Sequence, residues 1–315
     1  MAGAVQHPDD EFHTPTSDDP YWTETCWFTF HVPERRISGQ LYPYFSPNQR
    51  TCAAGAFIWD EHGSHPYTAL YAKMFWHLPM PSDPLTDITV PNGIRYKCLE
   101  PQKKWEVNFD DPDGGDELTI RLTFDAVAPP NYMAGSHIDQ PGHVTGTITL
   151  YGEEIPVDSY GFRDRSWSVR SQFGVSFGHI GYTYGAADDG NGFHLIEQAD
   201  QEAFYHGHFL QDGTWSKLVD AHRKVLERSP ETGFPTEIVI EGTDELGRHL
   251  HVEGTAQNGC AIQLNPNLLS IDSLMEYRFS NGLIGHGADH DDWNAHLARR
   301  YFRGLLGYDK PSRAG

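Results

Sequence analysis

Ser159-Tyr-Gly-Phe-Arg-Asp-Arg-Ser-Trp-Ser-Val-Arg170, at the middle of the chain, combines three arginines, one aspartate and a tryptophan. Charge this dense is costly to bury unless the groups pair with one another. Two roles fit. One is an ionic knot that ties neighbouring segments together; the other is a site that sets a charge against an aromatic face. Asp164 and Trp167 supply a carboxyl and a ring three residues apart, with Arg163 and Arg165 flanking the acid. On an extended strand positions 164 and 167 face opposite sides, so they meet only across a bulge or turn. The adjacent guanidiniums also lower a carboxyl pKa, which favours Asp164 as an ionised partner in the knot.

Other groups of chemical interest lie on either side. In Phe193-His-Leu-Ile-Glu-Gln198, His194 and Glu197 are ionisable groups among apolar residues. Their opposite parity lets at most one face a given cavity unless the strand bulges. Tyr182 and Tyr184 share a strand face and could line a pocket, while His137 and Gln140 could contact a ligand hydroxyl. A satisfied hydrogen bond inside a β core is the competing role for each.

The eighteen histidines include His206-Gly-His208, His249-Leu-His251 and the pair His286 and His290. Alternate strand residues share a face, so the first two pairs could ligate a metal. Neither has the further ligand at the spacing a cupin-like metal oxygenase needs, and no metal site is assigned. His7-Pro-Asp-Asp-Glu11 looks like the metal-binding signature of a deacetylase family acting on amino sugars. That family sets the motif after a buried strand of a doubly wound sheet, and no βαβ pattern follows it here. There is no dinucleotide fingerprint or phosphate loop, so the expected cofactor is none.

These residues need strands to hold them. Short alternating runs begin at Trp22–Val32 and recur along the chain, separated by turn sequences such as Gln211-Asp-Gly213 and Asp244-Glu-Leu-Gly247. Met275–Ser280 reads as the last strand. Asp291 or Asp292 is expected to cap a helix from Trp293 to Leu306, whose Trp293, Leu297, Tyr301 and Leu305 share one face. Residues 1–20 are acidic and proline-bearing, and read as an arm that is loose or orders on contact. The pattern predicts an all-β protein of antiparallel barrels or sandwiches with a C-terminal helix, with a seam near Ile155–Asp158.

Composition narrows the partners. Lys+Arg of 23 against Asp+Glu of 44 leaves a net charge of -21, which opposes binding to nucleic acid or anionic lipid. No apolar run approaches the ~20 residues of a membrane span, and the first residues do not read as a signal peptide. Four scattered cysteines read as packing residues in a reducing compartment, so a cytoplasmic location is expected. Eight Trp, fifteen Tyr and seventeen Phe could wall a pocket for an apolar ligand or fill a β core. A homodimer is left open.

One resemblance is specific. His137-Ile-Asp-Gln-Pro-Gly-His-Val-Thr-Gly-Thr-Ile-Thr-Leu150, continuing through Glu153-Glu-Ile-Pro-Val157 into Gly161-Phe-Arg-Asp-Arg-Ser-Trp167, resembles the AttH-like superfamily. That group includes carotenoid 1,2-hydratases (hydroxyneurosporene synthases) and relatives of tocopherol cyclase. Arg165 stands where many relatives carry His, and Ser168 where they carry Gly. A guanidinium stays protonated and cannot replace a histidine in proton transfer. The resemblance implies two tandem lipocalin-like antiparallel β-barrel domains, 1–157 and 158–315, with a cavity near their junction. It also implies a cofactor-independent lyase, hydratase or cyclase acting on a C=C bond of an apolar terpenoid- or steroid-like molecule.

Such chemistry needs a strong acid to protonate carbon and an aromatic face to shield the cation. The residues assigned to it are Asp164, Trp167, His194 and Glu197. His137, Gln140, Arg163, Arg165, Tyr182 and Tyr184 are assigned to the substrate. The alternative is a non-catalytic lipocalin-like carrier of an apolar small molecule.

Overall fold

The structure, a computed structural model, describes residues 7–113, 115, 117–170, 178–199, 201–265 and 267–307. The chain divides into two compact units. One comprises Met1–Asp60, Ala69–Ser171 and Asp188–Gly190; the other comprises Glu61–Thr68, Gln172–Ala187 and Asn191–Gly315. Both are antiparallel β structures, as the alternating apolar runs predict.

The first unit holds β1 (Trp22–Val32), β2 (Ile37–Ser46), β3 (Thr51–Trp59), β4 (Tyr71–Pro79), β5 (Asp87–Thr89), β6 (Ile94–Glu100), β7 (Lys104–Asp110), β8 (Leu118–Ala126), β9 (Asn131–Met133), β10 (His137–Leu150) and β11 (Glu153–Val169). Their order is β4-β3-β2-β1-β11-β10-β8-β7-β6-β5, with β9 on β10, and the sheet curls into an open half-barrel. Its concave side is filled by Phe28, Phe30, Leu41, Trp105, Phe109 and Phe124 among others. Burial of such side chains contributes roughly 1.5–3 kcal/mol each before the entropy of ordering the chain is counted.

β11 is the long strand that the sequence read as a seam and a knot. It runs unbroken through Val157 and Asp158, paired with β10 along its length and with β1 over its second half. The first unit therefore extends to Ser171, beyond the seam expected at 157/158. Gly161 lies close against β1: a Cβ there would stand 2.1 Å from the Thr29 carbonyl oxygen.

The second unit holds β12 (His179–Asp188), β13 (Asn191–Gln198), β14 (Ala203–Gln211), β15 (Thr214–Arg228), β16 (Pro235–Asp244), β17 (His249–Ala256), β18 (Cys260–Asn265), β19 (Leu268–Phe279) and β20 (Ile284–Asn294). Pairing of β17 with β19 closes β12–β17, β20 and β19 into a barrel, leaving β18 outside the closure. The β14–β15 turn is Asp212-Gly213, both at positive φ (50° and 74°), as a tight Asp-Gly hairpin requires. Phe193, Leu195, Ile240, Val252, Met275 and Tyr277 fill the interior.

Among the described residues a single α-helix follows, α1 (Ala295–Leu305). It starts later than the sequence suggested. Asn294, not Asp291 or Asp292, is the N-cap, its side chain accepting from the His296 N–H. Asp291, Asp292 and Trp293 belong to β20, where Asp291 is held by Arg228, His179 and the Trp293 indole. Met275 accordingly lies in the penultimate strand, not the last. Among the described residues, no helix is long and apolar enough to cross a membrane.

Candidate functional site

The arginines of β11 face the core of the first unit. Directly opposed residues on paired strands share a face, so Arg163, Arg165 and Trp167 line up with Phe28, Cys26 and Glu24. Both arginines are fully buried. Arg163 Nη2 donates to Asp10 Oδ1 at 2.7 Å, its Nη1 donates to Gln140 Oε1 at 3.5 Å, and the guanidinium lies 4.6 Å from the Trp105 ring centre. Arg165 donates to Glu24, to the carbonyls of Thr25 (3.0 Å) and Glu11 (2.8 Å), and sits over the Trp167 ring. Burial works against the charge of Glu24, but His13 and Arg165 outweigh it and hold that carboxyl below its ordinary value. Gln140 is fixed as well, its amide donating to the carbonyls of Gln102 (2.7 Å) and Ala128 (3.1 Å).

The knot is thus structural in its geometry, and its anions come from residues that sequence reasoning did not assign. Asp10 sits in a single turn, Pro8–Asp10, in the arm expected to be loose or ordered on contact. His13 stacks on Trp167 at 3.9 Å between ring centres. Asp10 and Glu24 carried no local signal, because their partners lie more than a hundred positions away.

Asp164 faces the opposite side of the same unbroken strand, away from Trp167 and beside Trp27. Asp139 lies directly across from it on β10. His137 Nε2 stands 3.0 Å from Asp164 Oδ2 and 3.1 Å from Asp139 Oδ1. Burial opposes an imidazolium here, yet the two carboxylates raise the His137 pKa to about 10. Burial likewise opposes the Asp164 charge, but His137, with Arg170 and Arg165 behind it, holds the carboxyl below its ordinary value. Asp164 is therefore an anion at neutral pH and a poor proton donor.

The second unit separates His194 from Glu197. A bulge interrupts the β13–β14 register between Ile196 and Glu197, and the two side chains still point to different faces. His194 lies on the outer face of the barrel with Tyr182 (4.9 Å between ring centres), His206 and His208. Tyr182 and Tyr184 share this face and both approach His290. His290 Nδ1 is 2.7 Å from Asp272 Oδ1, and Asp292 completes the group. Burial, reinforced by Asp272 and Asp291 against the pull of His290 and Ser270, pushes the Asp292 carboxyl up to about 7. Sequence reasoning gave Asp292 only a capping role.

Glu197 points into the mouth of the barrel. There a cavity of about 640 Å3 is lined by His179, Glu197, His222, Arg223, Arg228, Val225, Val239 and Tyr301 among others. Glu197 is 2 % exposed. Its Oε2 accepts the Arg223 backbone N–H at 3.1 Å and stands 3.9 Å from His222 Nδ1. Burial raises its pKa, with Asp289 adding to the effect, and this outweighs Arg223 and His222. The arginine can be outweighed because its guanidinium is committed elsewhere. Its Nε and Nη2 donate to Asp289 at 2.5 and 2.6 Å, and Asp291 lies 3.4 Å away. Behind this network His179 stacks on Trp293 at 3.7 Å, and Trp293 stacks on Tyr301 at 4.6 Å.

The cavity matches the dimensions of small-molecule sites, which favour barrel mouths. Its chemistry is that of a carboxylic acid kept toward its neutral form beside a half-exposed histidine and an aromatic wall. That combination suits proton transfer to a bound molecule. Among the described residues, the groups close enough to share a metal ion within one unit are His137–Asp139–Asp164 and Asp272–His290–Asp292. Each already contains an imidazole–carboxylate pair, so a metal would have to displace that ion pair.

A family described as a domain of unknown function (DUF7064) matches residues 6–295. No curated protein sequence matches the chain. Solved structures do. A Nitrosomonas europaea protein provisionally assigned as AttH superposes with a TM-score of 0.64 at 14 % identity, covering 92 % of this chain and 97 % of its own. CghA in complex with Sch210972 gives 0.59 at 11 %, covering 90 % and 93 %. Kievitone hydratase from Nectria haematococca gives 0.55 at 10 %, covering 93 % and 94 %. At these identities the likeness shows the fold, an AttH-like one.

Proposed function

The chain belongs to the family described as a domain of unknown function (DUF7064), and on this fold we propose that it is a lyase of the hydratase or cyclase kind, with Glu197 as its proton donor. The observation that carries the reading is a buried carboxyl, held toward its protonated form, in the wall of a cavity large enough for a small molecule. A hydratase among the structural neighbours supports the reaction class by analogy. Val225, Leu226, Val239 and Tyr301 offer apolar contact to a terpenoid- or steroid-like body, and Lys224 and His222, set among Glu202, Glu227 and Glu241, offer polar contact to a hydroxyl on it.

The proposed step balances without a cofactor. Protonated Glu197 donates to one carbon of a C=C bond; the new C–H bond forms as the π bond breaks, and positive charge develops on the other carbon. Tyr301, whose ring stacks on Trp293, lines the cavity in which that charge develops. Water, or a hydroxyl of the substrate itself, adds to the cation. The proton it sheds returns to the Glu197 carboxylate or leaves through His222, whose side chain is 49 % exposed.

Asp292 supports a second placement of the acid, because its carboxyl is pushed up to about 7 beside Tyr182, Tyr184 and His290. Incubation of the protein with kievitone and a panel of unsaturated phenols and terpenoids in heavy-oxygen water tests the reading. Enzymatic incorporation of one heavy oxygen, or formation of an isomeric ring product, supports it. Saturable binding across the panel with neither product would replace it with the carrier reading.

A further inference from the structure

β15 loses one of its strand partners where it enters the barrel mouth. The β14–β15 ladder is registered only from Gln211 opposite Thr214 to His208 opposite Lys217, whereas β15 runs on to Arg228 with β16 along one side. Among the described residues no strand pairs with its other side beyond Lys217. One donor on that open edge is engaged: Glu197 Oε2 accepts the Arg223 N–H at 3.1 Å. The N–H and C=O of a strand residue point to the same edge, and the direction alternates from residue to residue. The β15–β16 register is regular from Arg223 to Val225. Val225 therefore turns its N–H and C=O toward the same open edge, two residues beyond Arg223.

The cavity of about 640 Å3 lies on this edge. Every residue from His222 to Arg228 lines it, although alternate side chains of a strand point to opposite faces. The strand thus meets the cavity edge-on, with its main chain. The cations of the inner wall are already committed. Arg223 is held by Asp289 and Asp291, Arg228 by Asp291 and the Gly233 carbonyl, and His179 by Asp291. Glu202, Glu227 and Glu241 also line the cavity and disfavour an anionic ligand. What Val225 offers is a neutral donor and acceptor side by side. An amino-acid unit with an amide on each side matches that pair, exchanging both hydrogen bonds as directly opposed residues of an antiparallel sheet do.

We infer that the barrel mouth takes an N-acyl amino-acid amide, which adds one short strand to the open edge of β15 at Val225. Its C=O accepts from the Val225 N–H, and its N–H donates to the Val225 C=O. The antiparallel sense of that pair directs the carboxyl side of the ligand toward Arg223 and Glu197. The unsaturated apolar body is therefore attached through that carboxyl, as an amide. Two residues along an extended strand span roughly 6–7 Å, so the C=C lies a few bonds from the paired unit. This placement of the reacting end rests on the reading of Glu197 as the acid; the pairing at Val225 does not.

Isothermal titration of the full-length protein with the prenylamide of N-acetyl-leucine tests this. The controls are the same compound methylated on the leucine nitrogen and the analogue with an ester oxygen in its place. Saturable one-to-one binding of the parent is expected, with both controls weaker by at least about tenfold, the scale of a lost hydrogen bond that leaves its partner unsatisfied. Val225→Pro deletes the edge N–H at a place where an unpaired strand edge tolerates proline. It should weaken binding at least about tenfold beyond Val225→Ala, which keeps the N–H. Were the proline variant to misfold, the two controls on the wild-type protein still decide. Glu197→Gln retains an acceptor for the Arg223 N–H and should keep the binding, so failure of the acid and failure of the edge site are read separately. Equal affinity for parent and controls, no binding of the parent, or a folded Val225→Pro variant that binds as Val225→Ala does would overturn the inference.

Discussion

The Arg163 guanidinium meets the Asp10 carboxylate at 2.7 Å, with both side chains fully buried and 153 positions between them in the chain. A short turn near the start of the described chain is thereby fastened into the core of the first unit. Removing one member of a buried ion pair strands the other in a low-dielectric site. Asp10→Asn is therefore expected to cost about 3–5 kcal/mol of unfolding free energy, read from urea denaturation. Replacing both members by apolar residues of similar size should cost less than removing Asp10 alone. A loss below about 1 kcal/mol, the range of exposed pairs, would contradict the knot as drawn.

The His137–Asp139–Asp164 group predicts a pH window. The folded-state pKa of His137 is raised from 6.5 to about 10, so its contribution is complete below 6.5 and lost as pH rises through about 10. Asp164 is shifted the other way. Its contribution is present above 3.8 and lost as pH falls through its lowered folded value. The stability gap between wild type and His137→Gln should be widest between those two limits, and should shrink toward alkaline pH. A gap that is flat with pH would show that the imidazole carries no charge in the fold.

Asp292 should behave in the opposite sense to Asp164. Its folded pKa, about 7 against 3.8, means that the fold resists its ionisation, and stability drains away as pH rises from 3.8 through about 7. Asp292→Asn removes that cost. The variant should melt above wild type at pH 8 and converge with it toward pH 4. A variant that melts below wild type at pH 8 would mean that the carboxylate is ionised and paired.

The helix boundary gives a local check. Asn294 caps α1 through its side chain, so Asn294→Ala should lower stability by about 1 kcal/mol. Asp291→Asn should act differently, by releasing Arg228 and His179 and not by uncapping the helix.

How far the sequence could be read follows from the range of the forces involved. Strands such as Trp22–Val32 were legible because a period of two is a local signal, and the Asp-Gly hairpin was legible because its turn demands positive φ. Pleat parity correctly kept Asp164 apart from Trp167, and His194 apart from Glu197. The anions of the arginine knot were not legible. Asp10 and Glu24 reach Arg163 and Arg165 only after the sheet forms, and an acidic residue in an acidic tail has no period to mark it. Asp292 was misassigned for a related reason: an aspartate before a helix reads as a cap, whereas closure of the barrel extends β20 through it.

The central claim is that burial holds the Glu197 carboxyl toward its protonated form in the barrel mouth. Carbon-13 NMR of the glutamate carboxyls measures it most directly, with the Glu197 resonance assigned by its disappearance in Glu197→Gln. A titration midpoint above the ordinary 4.5 is predicted, together with a loss of turnover of roughly 10²–10⁴-fold in that variant, the usual share of a general acid. A midpoint at or below 4.5 would make Glu197 one more paired anion of the Arg223 network and remove the proton donor from the scheme.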